Sequence, residues 1–355
     1  MNNSEILGEE AAVRQIVEDD FSATNGVFED DSVITLSGRA LSSKNNLEAI
    51  RLPNLINFPG YQKTNNNRVL NYLDLGKIQN GIDTDFTTDY FLDTILLRNT
   101  TGVVPLSRTS YFDGAFYYYR GPFGHIYVPS ALVSQYQQAT NWASLYANNN
   151  DLFRAIEDYT LDRTTTGEFD LTRIDTIPEP DYSFEDYTFD GASYKDSGIQ
   201  LYDGTLDGFT IIIDVDIDRQ SGTRELFICH DFSSNKGVRL TVGNNSYWLY
   251  CNSGMVNDNF ATEGFGRYRI VCVGTPYWMN LMAFNANGKI TGDGNYIAFK
   301  RGSTSTGYSF SRTLVFGAKE DDNGNYSEFS KEHFNSCKVY KKALSYRQIK
   351  TIIGI

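Results

Sequence analysis

The sequence predicts a two-part, mainly β chain: a short solenoid of repeats with a helical cap, followed by a β-sandwich. Three observations carry this expectation. Apolar residues recur in three registered copies between positions 47 and 100. Over 127–149 the apolar spacing becomes that of one helix face. After an acidic, proline-bearing stretch, short alternating runs separated by Asn/Gly turns fill the remainder. Composition agrees, since 41% hydrophobic and 21% charged residues with 24 Tyr and 23 Phe suit strands and turns better than helical bundles. At 355 residues the chain is long enough for two cores.

Residues 1–31 form an acidic segment, with nine Asp and Glu against Arg14 alone. Within it "SEILGEEAAVRQIVEDD" reads as a helix that closes or anchors the solenoid, and the segment as a cap or attachment element. The whole chain carries a net charge of −13, which argues against nucleic acid or an anionic membrane as partner. The opening "MNNSEILGEEAAVRQ" has no basic region followed by an apolar run, and no stretch reaches the roughly 18 apolar residues that span a bilayer. The expectation is a chain made and assembled in a cytoplasm, without membrane insertion.

Residues 32–160 hold the repeats and their cap. "LEAIRLPNL" (47–55), "LNYLDLGKI" (70–78) and "LDTILLRNT" (92–100) align at Leu47/Ile50/Leu52/Leu55, Leu70/Leu73/Leu75/Ile78 and Leu92/Ile95/Leu97. This is the LxxLxL pattern of a leucine-rich repeat, with the turn Asn of many such repeats missing. "YVPSALVSQYQQATNWASLYANN" (127–149) reads as a helix capped by Ser130, with Leu132, Val133, Tyr136 and Ala139 on one face and Trp142 and Leu145 extending it. Residues 161–187, with Pro178 and Pro180, read as an acidic linker. Residues 188–355 then give a sandwich, from "GFTIIIDVDI" through "SCKVYKKAL". Cys229, Cys251, Cys272 and Cys337 all fall in its apolar runs and read as buried, reduced thiols.

Two resemblances add to this. "YTFDGASYKDSGIQLYDGTLDGFTIIIDVDI" and "TLVFGAKEDDNGNYSEFSKEHFNSCKVYKKALSYRQI" resemble the opening and the end of the laminin-G-like, concanavalin A-like jelly roll, the latter closing on a short helix. "LLRNTTGVVPLS" (96–107) and "GHIYVPSALVSQYQQATNWASLYANNNDLFRAIEDYTLD" (124–162) are similar to the irregular leucine-rich repeats of bacterial surface antigens and of bacteriophages from gut bacteria. Together these resemblances imply a virion surface protein of tail-fibre, head-fibre or capsid-decoration type.

Asp214, Asp216 and Asp218 alternate with Ile213, Val215 and Ile217, so the three carboxylates share one face of a strand. The retaining glycosidases that share this sandwich resemble E-x-D-x-E or E-x-D-x-x-E there, but both outer positions are Asp here, and a solvated face is the preferred reading. His125, His230 and His333 stand far apart, and neither a GxSxG elbow nor a P-loop occurs. In "DDNGN", Asp321, Asn323 and Asn325 offer oxygens to a calcium ion, but Tyr326 stands where such a loop needs Gly, and an Asn-Gly turn is preferred. Trp248 and Tyr250 share a strand face, and with Trp278 they are the candidate sugar-stacking residues, against the alternative that all three are sandwich core. "FDGAFYYYRGPFGHIY" (112–127) is the densest aromatic stretch.

The sequence therefore predicts a non-enzymatic bacteriophage virion protein on the particle surface, assembled in the host cytoplasm. Its partners are other virion proteins and a host cell-surface glycan or protein, with a homo-oligomer, a trimer being the common state of fibres. No cofactor is expected, calcium being the alternative. Rival readings are a bacterial surface adhesin and a polysaccharide-degrading enzyme using Asp214, Asp216 and Asp218.

Overall fold

A computed structural model describes residues 14–16, 26–36, 47–58, 70–84, 86, 92–112, 124–159, 177–201, 208–218, 223–231, 236–243, 246–251, 254–259, 265–274, 278–285, 298–301, 312–321, 323 and 325–355. The chain divides into two compact units, Met1–Arg173 and Ile174–Ile355. It is mainly β.

In the first unit, strand β1 (Arg14–Ile16) pairs with β3 (Val33–Leu36). Six further strands are short: β2 (Val27–Glu29), β4 (Ala49–Arg51), β5 (Tyr72–Asp74), β6 (Thr94–Leu96), β7 (His125–Val128) and β8 (Phe153–Ala155). They make one sheet in the order β2-β4-β5-β6-β7-β8, and every pairing is parallel. The apolar positions aligned in the sequence all enter one core, which Phe28, Phe86, Phe112 and Phe153 extend. Neighbouring coils are also stitched by amides. The Asn80 Nδ2 donates to Asn57 Oδ1 at 3.1 Å, and the Asn99 Nδ2 donates to the Ile78 carbonyl at 2.7 Å. These asparagines lie outside the turn position at which the sequence pattern lacks one.

The sheet face opposite the core carries ions and tyrosines. Asp74, fully buried, receives both Nε and Nη2 of Arg98 and the Gly76 N–H. Arg51 pairs with Glu29 and Asp31. Tyr159 lies over this face, its ring 6.0 Å from Tyr72 and 4.6 Å from Tyr127.

Two sequence expectations change here. The stretch expected as one capped helix is a 3-10 turn (Ser130–Leu132) leading into helix α1 (Val133–Tyr136), then a separate helix α2 (Trp142–Asn148). Asn141, at φ 66°, breaks them because a left-handed residue cannot continue a right-handed helix. Ser130 does not cap; its hydroxyl donates to Glu157 Oε1. Leu132, Tyr136, Trp142 and Leu145 still reach the core, with the Trp142 indole N–H on the Val104 carbonyl at 2.7 Å. Within the stretch expected as an amino-terminal helix, residues 14–16 are β1. Residues 1–13 and 17–25, with most of the aromatic stretch 112–127, lie outside the described residues.

The second unit is a sandwich of two six-stranded antiparallel sheets. One contains β9 (Tyr182–Thr188), β11 (Phe209–Ile217), β16 (Gly266–Gly274), β17 (Trp278–Asn285), β18 (Ala298–Arg301) and β22 (His333–Tyr340), ordered β18-β17-β16-β11-β22-β9. The other contains β10 (Lys195–Asp196), β12 (Arg224–Asp231), β13 (Lys236–Val242), β14 (Ser246–Cys251), β15 (Gly254–Asn259) and β19 (Val315–Phe316), ordered β10-β19-β12-β13-β14-β15. A small hairpin, β20 (Lys319–Glu320) and β21 (Tyr326–Ser327), spans the "DDNGN" turn. Ile211, Ile213, Val215 and Ile217 alternate into a core shared with Phe227, Leu240, Cys272 and Phe334. Cys229, Cys272 and Cys337 are buried in that core outside any disulfide, while the Cys251 side chain lies outside the described residues.

The sandwich begins earlier than the sequence suggested. Residues 182–187, expected as linker, belong to edge strand β9, which pairs with β22. Residues 161–176 lie outside the described residues. The chain closes on helix α3 (Tyr346–Ile353), started by a reciprocal Ser345–Gln348 capping box and stopped by Gly354 in the left-handed conformation.

Gly76 tests the first unit. Its φ is 59°, and a β-carbon there meets the Leu52 carbonyl oxygen at 2.5 Å and the Leu55 nitrogen at 2.6 Å. Gly76→Ala is expected to destabilise the coils by about 3 kcal/mol, read as lost hydrogen-exchange protection over 47–82 with protection of 209–217 unchanged. Gly102→Ala, which opens into free space, serves as the silent control.

Candidate functional site

Two surfaces of the sandwich bear the chemistry singled out in the sequence. The first is the outward side of β11. Antiparallel alternation sends Ile213, Val215 and Ile217 into the core and leaves Asp214 and Asp216 at intermediate exposure, with Asp218 exposed. Asp214 is clamped by Arg267, whose Nε and Nη2 reach its two oxygens at 2.7 and 2.8 Å, and Arg269 stands 3.6 Å away. Asp216 accepts from the Asn335 amide at 3.1 Å. The Asp218 carbonyl accepts from Arg224 at 3.3 Å. His333, opposite Asp216 in the register, has Nδ1 2.8 Å from the Thr188 hydroxyl. The carboxylates of Asp214 and Asp216 are therefore each tied to a neighbouring polar group, while Asp218 is held through its backbone carbonyl.

The second surface is the outer side of the sheet that contains β14. Strand register defines it. Tyr247, Leu249 and Cys251 stand opposite Val242, Leu240 and Val238, all core residues, so the intervening Trp248 and Tyr250 stand opposite Thr241 and Arg239. A register shift between Glu225 and Phe227 sends both Leu226 and Phe227 inward and leaves Glu225 opposite Thr241. Glu225 is fully buried. Its carboxylate accepts from the Thr241 hydroxyl at 2.7 Å and from Arg239 at 3.2 Å. Desolvation raises its pKa most strongly, Thr241, Arg239 and Lys319 oppose this while Glu328 adds to it, and the result is pushed up to about 7. The hairpin adjoins this group: the Glu225 N–H donates to the Glu328 carbonyl at 3.3 Å, and Lys319 pairs with Glu328 at 2.6 Å.

The three aromatic candidates do not form one set. Trp278 lies on β17, at the register position across from Arg301, and so in the other sheet. The side chains of Trp248, Tyr250 and Trp278 lie outside the described residues. At the β10 end of the β14 sheet, Tyr194 and Tyr326 stack with centroids 3.7 Å apart, and Tyr194 is 41% exposed. That pair was missed because 132 residues separate its members in the sequence. Asp321 caps its own turn: its Oδ1 accepts from the N–H groups of Asn323 and Asn325, each at 2.8 Å. The Asn325 amide nitrogen also points at Asp321, at 3.0 Å from Oδ2. Asp321 is thus engaged by Asn323 and Asn325 within the hairpin. Among the described residues no helix is long and apolar enough to cross a membrane.

No family model matches the chain, and neither does any curated protein. Solved structures do. The CBM40 module of the Ruminococcus gnavus IT-sialidase bound to α2,3-sialyllactose is 13% identical at a TM-score of 0.38, over 50% of this chain and 100% of that one. NanB sialidase from Streptococcus pneumoniae is 12% identical at 0.37, over 49% of this chain and 28% of that one. The binding domain of botulinum neurotoxin DC in complex with SialylT is 13% identical at 0.31, over 41% and 35%.

Glu225 gives a pH dependence with a definite sign. Its carboxyl titrates near 4.5 when unfolded and about 7 when folded, so the folded chain holds the proton more tightly. The resulting stability is fully present below pH 4.5 and is lost as pH rises through 7, at most about 3 kcal/mol. Urea unfolding of the wild type against Glu225→Gln across pH 4.5–7.5 is expected to show this slope only in the wild type.

Proposed function

We propose that the chain is a non-enzymatic bacteriophage virion surface protein, of fibre or decoration type, whose second unit adheres to a host cell-surface glycan or protein. The observation that carries this reading is the register that sets Trp248 and Tyr250 opposite Thr241 and Arg239 on adjacent strands of one sheet. Aromatic faces beside a partly exposed guanidinium suit the C–H faces and hydroxyls of a sugar. The first unit serves as a leucine-rich-repeat solenoid closed by α1 and α2 and holds the protein to other virion components. Its three-residue parallel strands and buried leucines support that assignment. The acidic amino-terminal segment is the attachment element, assembly takes place in the host cytoplasm, and a homo-oligomer, as a trimer, multiplies weak contacts into avidity. The adhesion needs no cofactor.

The ties on Asp214 and Asp216 support a charge-paired strand face over a catalytic pair. The experiment is one plate assay: labelled full-length chain on a panel of gut-bacterial capsular polysaccharides, with bound label and released reducing ends read from the same wells. Binding without release is expected. Trp248→Ala and Tyr250→Ala each lower affinity about tenfold, the scale of one aromatic stacking contact, while Asp216→Asn leaves binding within about twofold, as surface substitutions usually do. Release of reducing ends that disappears in Asp216→Asn overturns the reading.

A further inference from the structure

We propose that the open side of the sandwich, between edge strands β9 and β10, is a second sugar subsite. There the Lys195 ammonium takes the carboxylate of an acidic pyranose, and the aromatic rings of β9 take its apolar face. The proposal rests on the reading of the second unit as a glycan-binding module. β9 ends one sheet and β10 ends the other. Their side chains meet across the gap: Lys195 Nζ lies 3.9 Å from the Tyr187 ring centroid and 5.4 Å from that of Phe184. Lys195 stands opposite the core residue Phe316 in the register, so β10 turns it toward the inside of the sandwich. Tyr182, Phe184 and Tyr187 pack on that core yet stay partly exposed. An edge leaves open the aromatic surface that an inner strand would cover.

Two observations separate this place from ordinary core. The first is in the backbone. Asp186 has φ 49° and interrupts the alternation of β9. Phe184 and Tyr187, three residues apart, therefore both face the core, as Cys337 and Phe334 do opposite them. Strict alternation would turn Tyr187 outward, away from Lys195. A left-handed non-glycine residue is strained, and strain of this kind gathers at binding sites. The second is unused bonding capacity. Among the described residues the Lys195 ammonium meets rings alone, and the Tyr182 and Tyr187 hydroxyls have no hydrogen-bond partner. The acids nearest in the chain are engaged elsewhere. Asp196 accepts from the Gly198 N–H, Asp190 from the N–H groups of Ala192 and Ser193, and Asp186 stands 3.6 Å from His333. Lys331 lays its stem along Gly191 in the connection from β9 to β10, and among the described residues no carboxylate pairs with its ammonium. A cation with three N–H donors beside open ring faces matches a pyranose that carries a carboxylate. The ammonium meets the charge, and the rings meet the C–H groups.

The test uses the full-length chain and two fluorescent probes, read by polarisation at pH 7 and low ionic strength. One is an alginate oligosaccharide; the other is the same oligosaccharide with its carboxyls reduced to hydroxymethyl groups. The wild type is expected to bind the acidic probe about tenfold more tightly, the scale of one hydrogen bond to a charged group. Lys195→Met keeps the stem over the rings and removes the charge, so the two probes then bind within about twofold of each other. Lys195→Gln repeats the comparison should the Met variant lower the urea midpoint. Lys195→Arg keeps the preference. Trp248→Ala also keeps it, because β14 lies four strands from β10 in its sheet, roughly 19 Å away. A preference that survives both Lys195→Met and Lys195→Gln, or that the wild type lacks, overturns the inference. Capsule binding in the plate assay then leaves the proposed function standing. Loss of binding to both probes and to every capsule sinks both.

Discussion

One buried ion pair holds the sandwich together at one end. Arg224, at the start of β12, meets Glu332, just before β22, at 2.7 Å, with side chains 5% and 0% exposed. These strands belong to opposite sheets. Glu332 also accepts from the Ser330 hydroxyl and the Lys331 N–H, and Arg224 donates to the Asp218 carbonyl at the end of β11. Removing either partner alone strands a buried charge, a loss of roughly 3–5 kcal/mol. The contact fixes where β12 begins relative to β11 and β22. The bulge that presents Glu225 lies one residue further on, so the geometry of the candidate surface follows from it.

Much of the fold was legible wherever burial imposes a period. The leucines of the first unit repeat because each coil must fill the same place in one core, and the alternation of β11 follows from having one face inside. Legibility ended where burial is partial. Strand β9 reads as a polar linker because it is an edge strand, with only Tyr182, Phe184 and Tyr187 packed against the core. The helix break at Asn141 rests on one backbone angle that spacing does not encode. The amides of Asn57, Asn80 and Asn99 bridge coils from positions that do not coincide with the expected turn, so the motif passed over them.

The candidate surface was half legible for a related reason. That Trp248 and Tyr250 share a face follows from alternation within one strand. That Glu225, Arg239 and Thr241 lie beside them depends on pairing between three strands and on a bulge that shifts one of them by a residue. Trp278 was grouped with them because neighbouring aromatic runs look alike in a sequence, although a sandwich sends β14 and β17 to different sheets. Glu225 itself sits in "RELFICHDF", where nothing local marks a buried acid.

The parallel pairing of the first unit has a mechanical consequence. Hydrogen bonds between successive strands run along the direction in which the strands follow one another in the sheet, and among the described residues β4 to β7 each pair only with their two neighbours. Tension along that direction passes undiminished through every interface, and the weakest parts first. Tension across it loads all the coils at once. The bidentate Asp74–Arg98 bridge spans one of those interfaces and stiffens it against its neighbours, so the first coil to part under axial load lies elsewhere in the stack.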